Sequence, residues 1–211
     1  MNGKRILVVG CGPGSPDYVT PAAWRAVESA DALVGAAPLF DLFPEAKGER
    51  VAFSGEIDAL LDEVAARRSR GRVAVLVTGD PGLFSLARRV LSRFGEGACE
   101  VVPGVSAVQV AFARLGLAWH DAAVVSAHSR PILWEDRYGE AAKIAVLAGG
   151  ERSGGRIVEL LERIGEERRL FLCGNLTLPG EQVCPLEPAG LREWRPEGKA
   201  IVLILKPEVF P

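Results

Sequence analysis

The chain has 211 residues, 48% of them hydrophobic and 25% charged, with a formal net charge of −2. That is apolar enough for one large or two small packed domains and excludes a disordered polyelectrolyte. Near-neutral charge without a basic stripe argues against a nucleic-acid partner, and no stretch approaches the roughly 18–20 apolar residues of a membrane helix, so a cytoplasmic protein is expected.

The elements follow in chain order. "RILVVG" (Arg5 to Gly10) is a short β-branched run ending in glycine and predicts a buried strand. After a glycine- and proline-rich loop, Thr20-Pro21 reads as a helix N-cap with proline at the first helical position. That helix carries Trp24 and Val27 on one face and ends near Ala30. "DALVG" predicts a second strand and "PLFDLFP" one helical turn. Ile57, Leu60, Leu61 and Val64 fall at i, i+3, i+4 and i+7, the spacing of an amphipathic helix that "RRSRG" ends.

"VAVLVTG" lacks polar alternation over most of its length, as expected of a parallel strand covered on both faces. "GLFSLARRVLSRFG" then predicts a helix, "CEVVPG" a strand and "VSAVQVAFARLG" a helix. The alternation implies an α/β domain with a mostly parallel sheet. Around "LGLAWHD" the pattern begins again, which places a domain boundary near Leu117 to Asp121 and gives domains 1–117 and 118–211. In the second half "AAVVSAH", "KIAVLAGG" and "RRLFLCGN" predict strands. "GRIVELLERIG" predicts a helix with Ile157, Leu160, Leu161 and Ile164 inward. "EQVCPLEP" and "KAIVLILKP" have no convincing helix between them and are expected to form a hairpin or antiparallel pair closing a mixed sheet.

Cys11, Cys99, Cys173 and Cys184 are scattered without a C-x-x-C pair, so reduced thiols packed in a core are expected, and no metal site. The histidines, His120 and His128, supply no metal motif.

The first loop, "GCGPGSPDYVT", departs from the dinucleotide fingerprint G-x-G-x-x-G. Ser15 stands where the third glycine belongs, and the helix waits until Thr20. No acid follows the second strand at Gly35-Ala36. A stiff turn or a pocket wall remain as readings of this stretch. Short loops of small residues also leave the other strands: "TGDPG" (Thr78 to Gly82), "PGVSA" (Pro103 to Ala107), "LAGG" (Leu147 to Gly150) and "CGNLTLP" (Cys173 to Pro179). Asp80-Pro81 and Ser106 also fit ordinary helix caps. In open α/β sheets, ligands bind beyond the carboxyl ends of the strands, where these loops lie.

Taken together and in order, "GCGPGSPDYVT", "VTGDPGLFS", "VPGVSAVQVAFARLG" and "GNLTLPGEQV" resemble the tetrapyrrole methylases, which use S-adenosylmethionine. The resemblance runs from Ile6 to about Leu205. "GLAWHDAAVVSAHSRP" is similar to the subgroup that methylates C5 of precorrin-7 or cobalt-precorrin-7 in corrin assembly. The resemblance implies two α/β domains with a cleft between them, a homodimer and a folded S-adenosylmethionine. It also implies a corrinoid substrate and, in some relatives, a C15-methylating, decarboxylating partner.

Carried over by motif, Thr78, Gly79 and Asp80 would line the methionine and ribose side of the cofactor. Ser106 and Ala107 would lie beside it, and Leu147, Ala148, Asn175 and Leu176 would frame the adenine. The opening loop, with Gly10, Gly12, Pro13 and Gly14, would face the macrocycle. Two positions depart from the subgroup pattern: Ser129 replaces a glycine and Ala148 a threonine, so no hydroxyl is available for adenine at 148.

Methyl transfer from a sulfonium needs alignment and a fixed dipolar surrounding more than a strong acid or base. That suits a sequence with no nucleophile triad. For proton handling, His128 and Asp17 are the candidates. For ring carboxylates, Arg130 is the first candidate and Arg114 the second, because a guanidinium pairs bidentately with them. Trp119 and Trp134 are candidates to meet a flat ring. Methylation of another tetrapyrrole, of a diphthamide precursor or of ribosomal RNA, or an idle cofactor-binding module, are the alternative readings.

Overall fold

The computed structural model describes residues 5–53, 55–128, 131–165, 167–196 and 198–209. The chain divides into two compact units, Met1–Ser106 and Ala107–Pro211. The division falls ahead of the expected boundary at Leu117, because the helix α4 (Ala107–Arg114) packs on the last strand of the second unit.

The first unit holds five parallel strands: β1 (Ile6–Gly10), β2 (Ala32–Gly35), β3 (Glu49–Ala52), β4 (Val73–Val77) and β5 (Cys99–Val102), in the order β3-β2-β4-β1-β5. β1 and β4 are buried along their whole length. Their alternate residues feed two cores. Leu7, Val9, Ala74 and Leu76 pack with Ala23 and Val27 of α1 (Pro21–Glu28). Ile6, Val8, Val73 and Val75 pack with Leu60, Leu61 and Val64 of α2 (Ile57–Arg68) and Val90 of α3 (Ala87–Phe94). Each valine, leucine or isoleucine among them, fully removed from water, contributes about 1.5–3 kcal/mol before entropy is set against it.

Thr20 caps α1 as expected, its Oγ1 accepting from the Ala23 N–H at 3.1 Å, with Pro21 first in the helix. Trp24 packs edge-on against Phe43, ring centroids 4.9 Å apart. The turn expected at "PLFDLFP" is a 3-10 segment, Ala37–Leu42.

Three local expectations are corrected. The helix expected from Gly82 starts only at Ala87, because Phe84 sits at φ 46°, outside helical space. Asp80-Pro81 therefore caps no helix. Ile57 is 40% exposed and stands apart from the α2 stripe, at the helix's first residue. The strand β3 has no counterpart in the sequence reading. It is an exposed edge strand, so burial writes no apolar pattern into "ERVA".

The second unit holds a mixed sheet of β6 (Ala123–Ser126), β7 (Lys143–Ala148), β8 (Arg169–Gly174), β9 (Gln182–Pro185) and β10 (Ala200–Leu205), in the order β6-β7-β10-β8-β9. β6 and β7 are parallel and the other pairs antiparallel. β9 and β10 do not form the expected hairpin with each other, since β8 lies between them. The burial explains the order: every residue of β10 is buried, which suits a central strand, whereas β9 is largely exposed and ends at Pro185, which suits an edge. A short helix α5 (Arg137–Glu140) precedes β7. The helix α6 (Ser153–Ile164) buries Ile157, Leu160 and Ile164 against the sheet, with Leu161 partly buried. Cys11, Cys99 and Cys173 are buried as expected. Cys184, on the edge strand, is exposed, which corrects the expectation for that thiol. Among the described residues, no helix is long and apolar enough to cross a membrane.

Candidate functional site

In the first unit the loops leaving β1, β4 and β5 are knotted together through their backbones. Gly12 and Gly79 form an antiparallel bridge, with Gly79 N–H donating to Gly12 C=O at 2.8 Å and Gly12 N–H to Gly79 C=O at 3.3 Å. Both sit at positive φ, 76° and 72°, where glycine alone is unstrained. Gly104 completes the knot: a Cβ there would lie 2.4 Å from Gly79 O and 2.7 Å from Gly10 C. The glycines of this loop cluster therefore serve close backbone approach.

Asp80 fastens the same cluster. Its Oδ1 accepts from Gly82 N–H at 2.8 Å and its Oδ2 from Gly104 N–H at 3.0 Å. Thr78 and Asp80 are half-buried and Ser106 is buried. So the structure brings Gly12, Thr78, Gly79 and Asp80 onto neighbouring strand ends. Pro13 and Gly14 continue the β1 loop half-buried, and Asp17 lies exposed on a 3-10 turn, Pro16–Tyr18. Beneath the loop, burial pushes the Cys11 thiol up to about 12, against a smaller lowering by its backbone hydrogen bond, so it is no nucleophile near neutrality.

A cavity of about 470 Å3 opens beside this cluster, lined by Gly35, Phe53, Thr78, Phe84 and Leu86 among others. It lies where the chain leaves β2 toward β3 on one side and leaves β4 toward β5 on the other, the switch point at which open α/β sheets take ligands. Phe84, strained at φ 46° and 60% exposed, stands on its rim. Sequence reading missed Phe84, and a helical reading of its segment hides it. Another cavity, of about 500 Å3, is lined by Arg5, Arg25, Arg72 and Glu100 among others.

The second unit has its own strand-end cluster. His128, exposed after β6, packs over Gly149: a Cβ at 149 would lie 2.4 Å from His128 Nδ1. The wholly buried Ser153, first residue of α6, fixes both loops. Its Oγ accepts from Gly149 N–H at 2.9 Å and lies 2.9 Å from Gly149 O and 3.3 Å from Ala127 O. Arg156 Nη1 donates to the same Ala127 carbonyl at 2.7 Å. Leu147 is half-buried and Ala148 buried at the end of β7. Ser153 and Arg156 also escaped the sequence reading, which takes from this segment only the helix "GRIVELLERIG".

Asn175 and Leu176 follow β8, Asn175 at φ 47° and Leu176 buried. Ala107 opens α4, and Arg114 ends it. Arg114 is not the open fork expected for a ring carboxylate. Its Nε donates to Glu181 Oε1 at 2.5 Å and its Nη2 to Oε2 at 3.2 Å. Arg130 and Ser129 lie outside the described residues. Trp119 is about half-exposed, and Trp134 packs edge-on to Tyr138 with its Nε1 donating to Asp136 at 3.2 Å. Among the described residues, no three His, Cys, Asp or Glu side chains are grouped to hold a metal ion.

Residues 5–189 match the family described as Tetrapyrrole (Corrin/Porphyrin) Methylases. The chain belongs to the tetrapyrrole methylase family. Among its relatives, the cobalt-precorrin-7 C(5)-methyltransferase of Salmonella typhimurium is 34% identical over 179 residues, 84% of this chain and 88% of that protein. The solved uroporphyrin-III-C-methyltransferase of Thermus thermophilus is 30% identical, with a TM-score of 0.73, covering 100% of this chain and 98% of that one. The precorrin-6Y methylase (cbiE) of Archaeoglobus fulgidus shares the fold at a TM-score of 0.73 and 24% identity, covering 96% and 97% of the two chains.

Proposed function

We propose that the protein is an S-adenosylmethionine-dependent methyltransferase of corrin assembly that methylates C5 of precorrin-7 or its cobalt form. The observation that carries this reading is the 34% identity to a cobalt-precorrin-7 C(5)-methyltransferase along 84% of the chain. The loops fit the donor chemically. They are short and rich in backbone N–H and C=O groups, the fixed dipoles that suit a sulfonium donor.

When bound, S-adenosylmethionine supplies an activated methyl group. In this proposal Thr78, Gly79, Asp80, Ser106, Ala107, Leu147, Ala148, Asn175 and Leu176 hold and orient the donor. Asp80 acts by fixing loop backbone, because both of its oxygens already accept N–H groups. Gly12, Pro13 and Gly14, with the apolar crevice at Phe53 and Phe84, offer a surface to one face of a flat macrocycle. Arg130 is the proposed partner of a ring carboxylate. His128 and Asp17 are the two candidates for moving a proton. A homodimer, a cytoplasmic location and docking of a C15-methylating, decarboxylating partner belong to the same proposal.

A second reading, methylation of a different tetrapyrrole, is favoured by the 30% identity to a uroporphyrin-III-C-methyltransferase. A substrate panel separates the two. Folded protein is incubated with methyl-labelled S-adenosylmethionine and, in turn, uroporphyrinogen III, precorrin-7 and cobalt-precorrin-7. Label is expected in the last two alone. Label in uroporphyrinogen III would favour the second reading, and donor binding without label in any acceptor would leave an idle module.

A further inference from the structure

The turn after β8 is built against its own backbone preference. Asn175 and Thr177 both occupy the left-handed region, at φ 47° and 68°. Asparagine tolerates that region, but threonine is β-branched, and its Cβ crowds the neighbouring carbonyl there. Such conformations persist only where the surroundings over-determine them, and they concentrate at ligand-binding loops.

Asn175 N–H donates to Lys199 C=O at 3.4 Å, and a carboxylate holds the Thr177 peptide. Glu181 Oε2 accepts from the Thr177 N–H at 2.5 Å, and both Glu181 oxygens accept from the Arg114 guanidinium at the end of α4. Two backbone bonds close the loop around it, Leu178 N–H to Asn175 C=O at 2.9 Å and Glu181 N–H to Leu178 C=O at 3.1 Å. Leu176, between the two strained residues, is thereby turned into the protein and buried. The carboxylate is thus tied to a helix end on one side and to a strained peptide on the other.

We infer that Glu181, held by Arg114, is a positioning residue that keeps the turn Asn175–Thr177 in its left-handed form for binding the methyl donor. The inference rests on the donor-binding reading of Asn175 and Leu176. Glu181 touches no reacting atom. It acts through Thr177, and its effect falls on donor affinity before it falls on the chemical step.

A double-mutant cycle tests this, read by calorimetric titration of the full chain with S-adenosylhomocysteine. Glu181→Ala is expected to weaken binding about tenfold or more. Thr177→Gly removes the Cβ that makes the turn costly, so the pair Glu181→Ala with Thr177→Gly is expected to recover binding to within about threefold of wild type. Far-ultraviolet circular dichroism confirms that each variant is folded. As a further arm, Glu181→Asp tests whether the length of the side chain matters, and binding intermediate between wild type and Glu181→Ala is expected. Wild-type affinity in Glu181→Ala, or a double variant no tighter than Glu181→Ala alone, overturns the inference while leaving the donor reading intact. A wild-type chain that binds no S-adenosylhomocysteine overturns both.

Discussion

The Asp80 carboxylate reaches from the β4 loop to the β5 loop and accepts the Gly104 N–H at 3.0 Å, passing over the end of β1, which lies between those strands. Its other oxygen holds Gly82 N–H. Removing the side chain leaves two loop N–H groups without their acceptor. Asp80→Ala is therefore expected to lower unfolding free energy by about 1–3 kcal/mol in urea titration. It should also weaken S-adenosylhomocysteine binding about tenfold. Asp80→Asn, which keeps one acceptor oxygen, should fall between.

Gly104 has no room for a side chain. A methyl group there meets backbone atoms of Gly79 and Gly10 inside 3 Å, and neither end of that contact is flexible. Gly104→Ala should cost about 1–3 kcal/mol or more through overpacking. Gly97→Ala, where nothing lies within 4 Å, should be close to neutral in the same thermal melts.

Ser153 satisfies Gly149 N–H inside a fully buried position, so Ser153→Ala strands a buried donor at a cost of about 1–3 kcal/mol. The loss should be visible at His128, whose ring rests over Gly149. The chain has two histidines, so imidazole resonances report it cleanly. His128 signals should shift or broaden in the variant and those of His120 should not.

The Arg114 guanidinium, with the Thr177 N–H as a lesser cause, holds the Glu181 carboxyl below its ordinary value of 4.5. A carboxyl depressed on folding adds stability that is fully present above pH 4.5 and disappears as pH falls through the lower folded value. The pair is partly exposed, so the contribution should stay within about 1 kcal/mol. Wild type should exceed Glu181→Gln in stability at pH 6, and the two should converge as the solution is acidified below pH 4.5. A gap that widens on acidification would contradict the sign.

Much of the fold was legible because burial writes itself into sequence. The runs in β1, β4 and β10 are apolar on every residue, and Thr20-Pro21 carries a capping chemistry that needs no tertiary help. β3 and the placement of β9 were not, because edge strands bury too little to leave a pattern, and pairing order is decided by partners distant in sequence. At the candidate site, small residues after strands marked where loops lie but not what fastens them. Ser153, Arg156 and Glu181 act through hydrogen bonds to backbone, which no spacing rule announces. The pairing of Arg114 with the Glu181 carboxylate was hidden as well, because the two lie 67 positions apart along the chain.

The most direct test of the functional account is a turnover with S-adenosylmethionine carrying a 13C-labelled methyl group and cobalt-precorrin-7 as acceptor, with the product read by carbon NMR. The account predicts one labelled methyl per ring, on C5. Folded protein that leaves the ring unlabelled, or that places the label on another carbon, would contradict it.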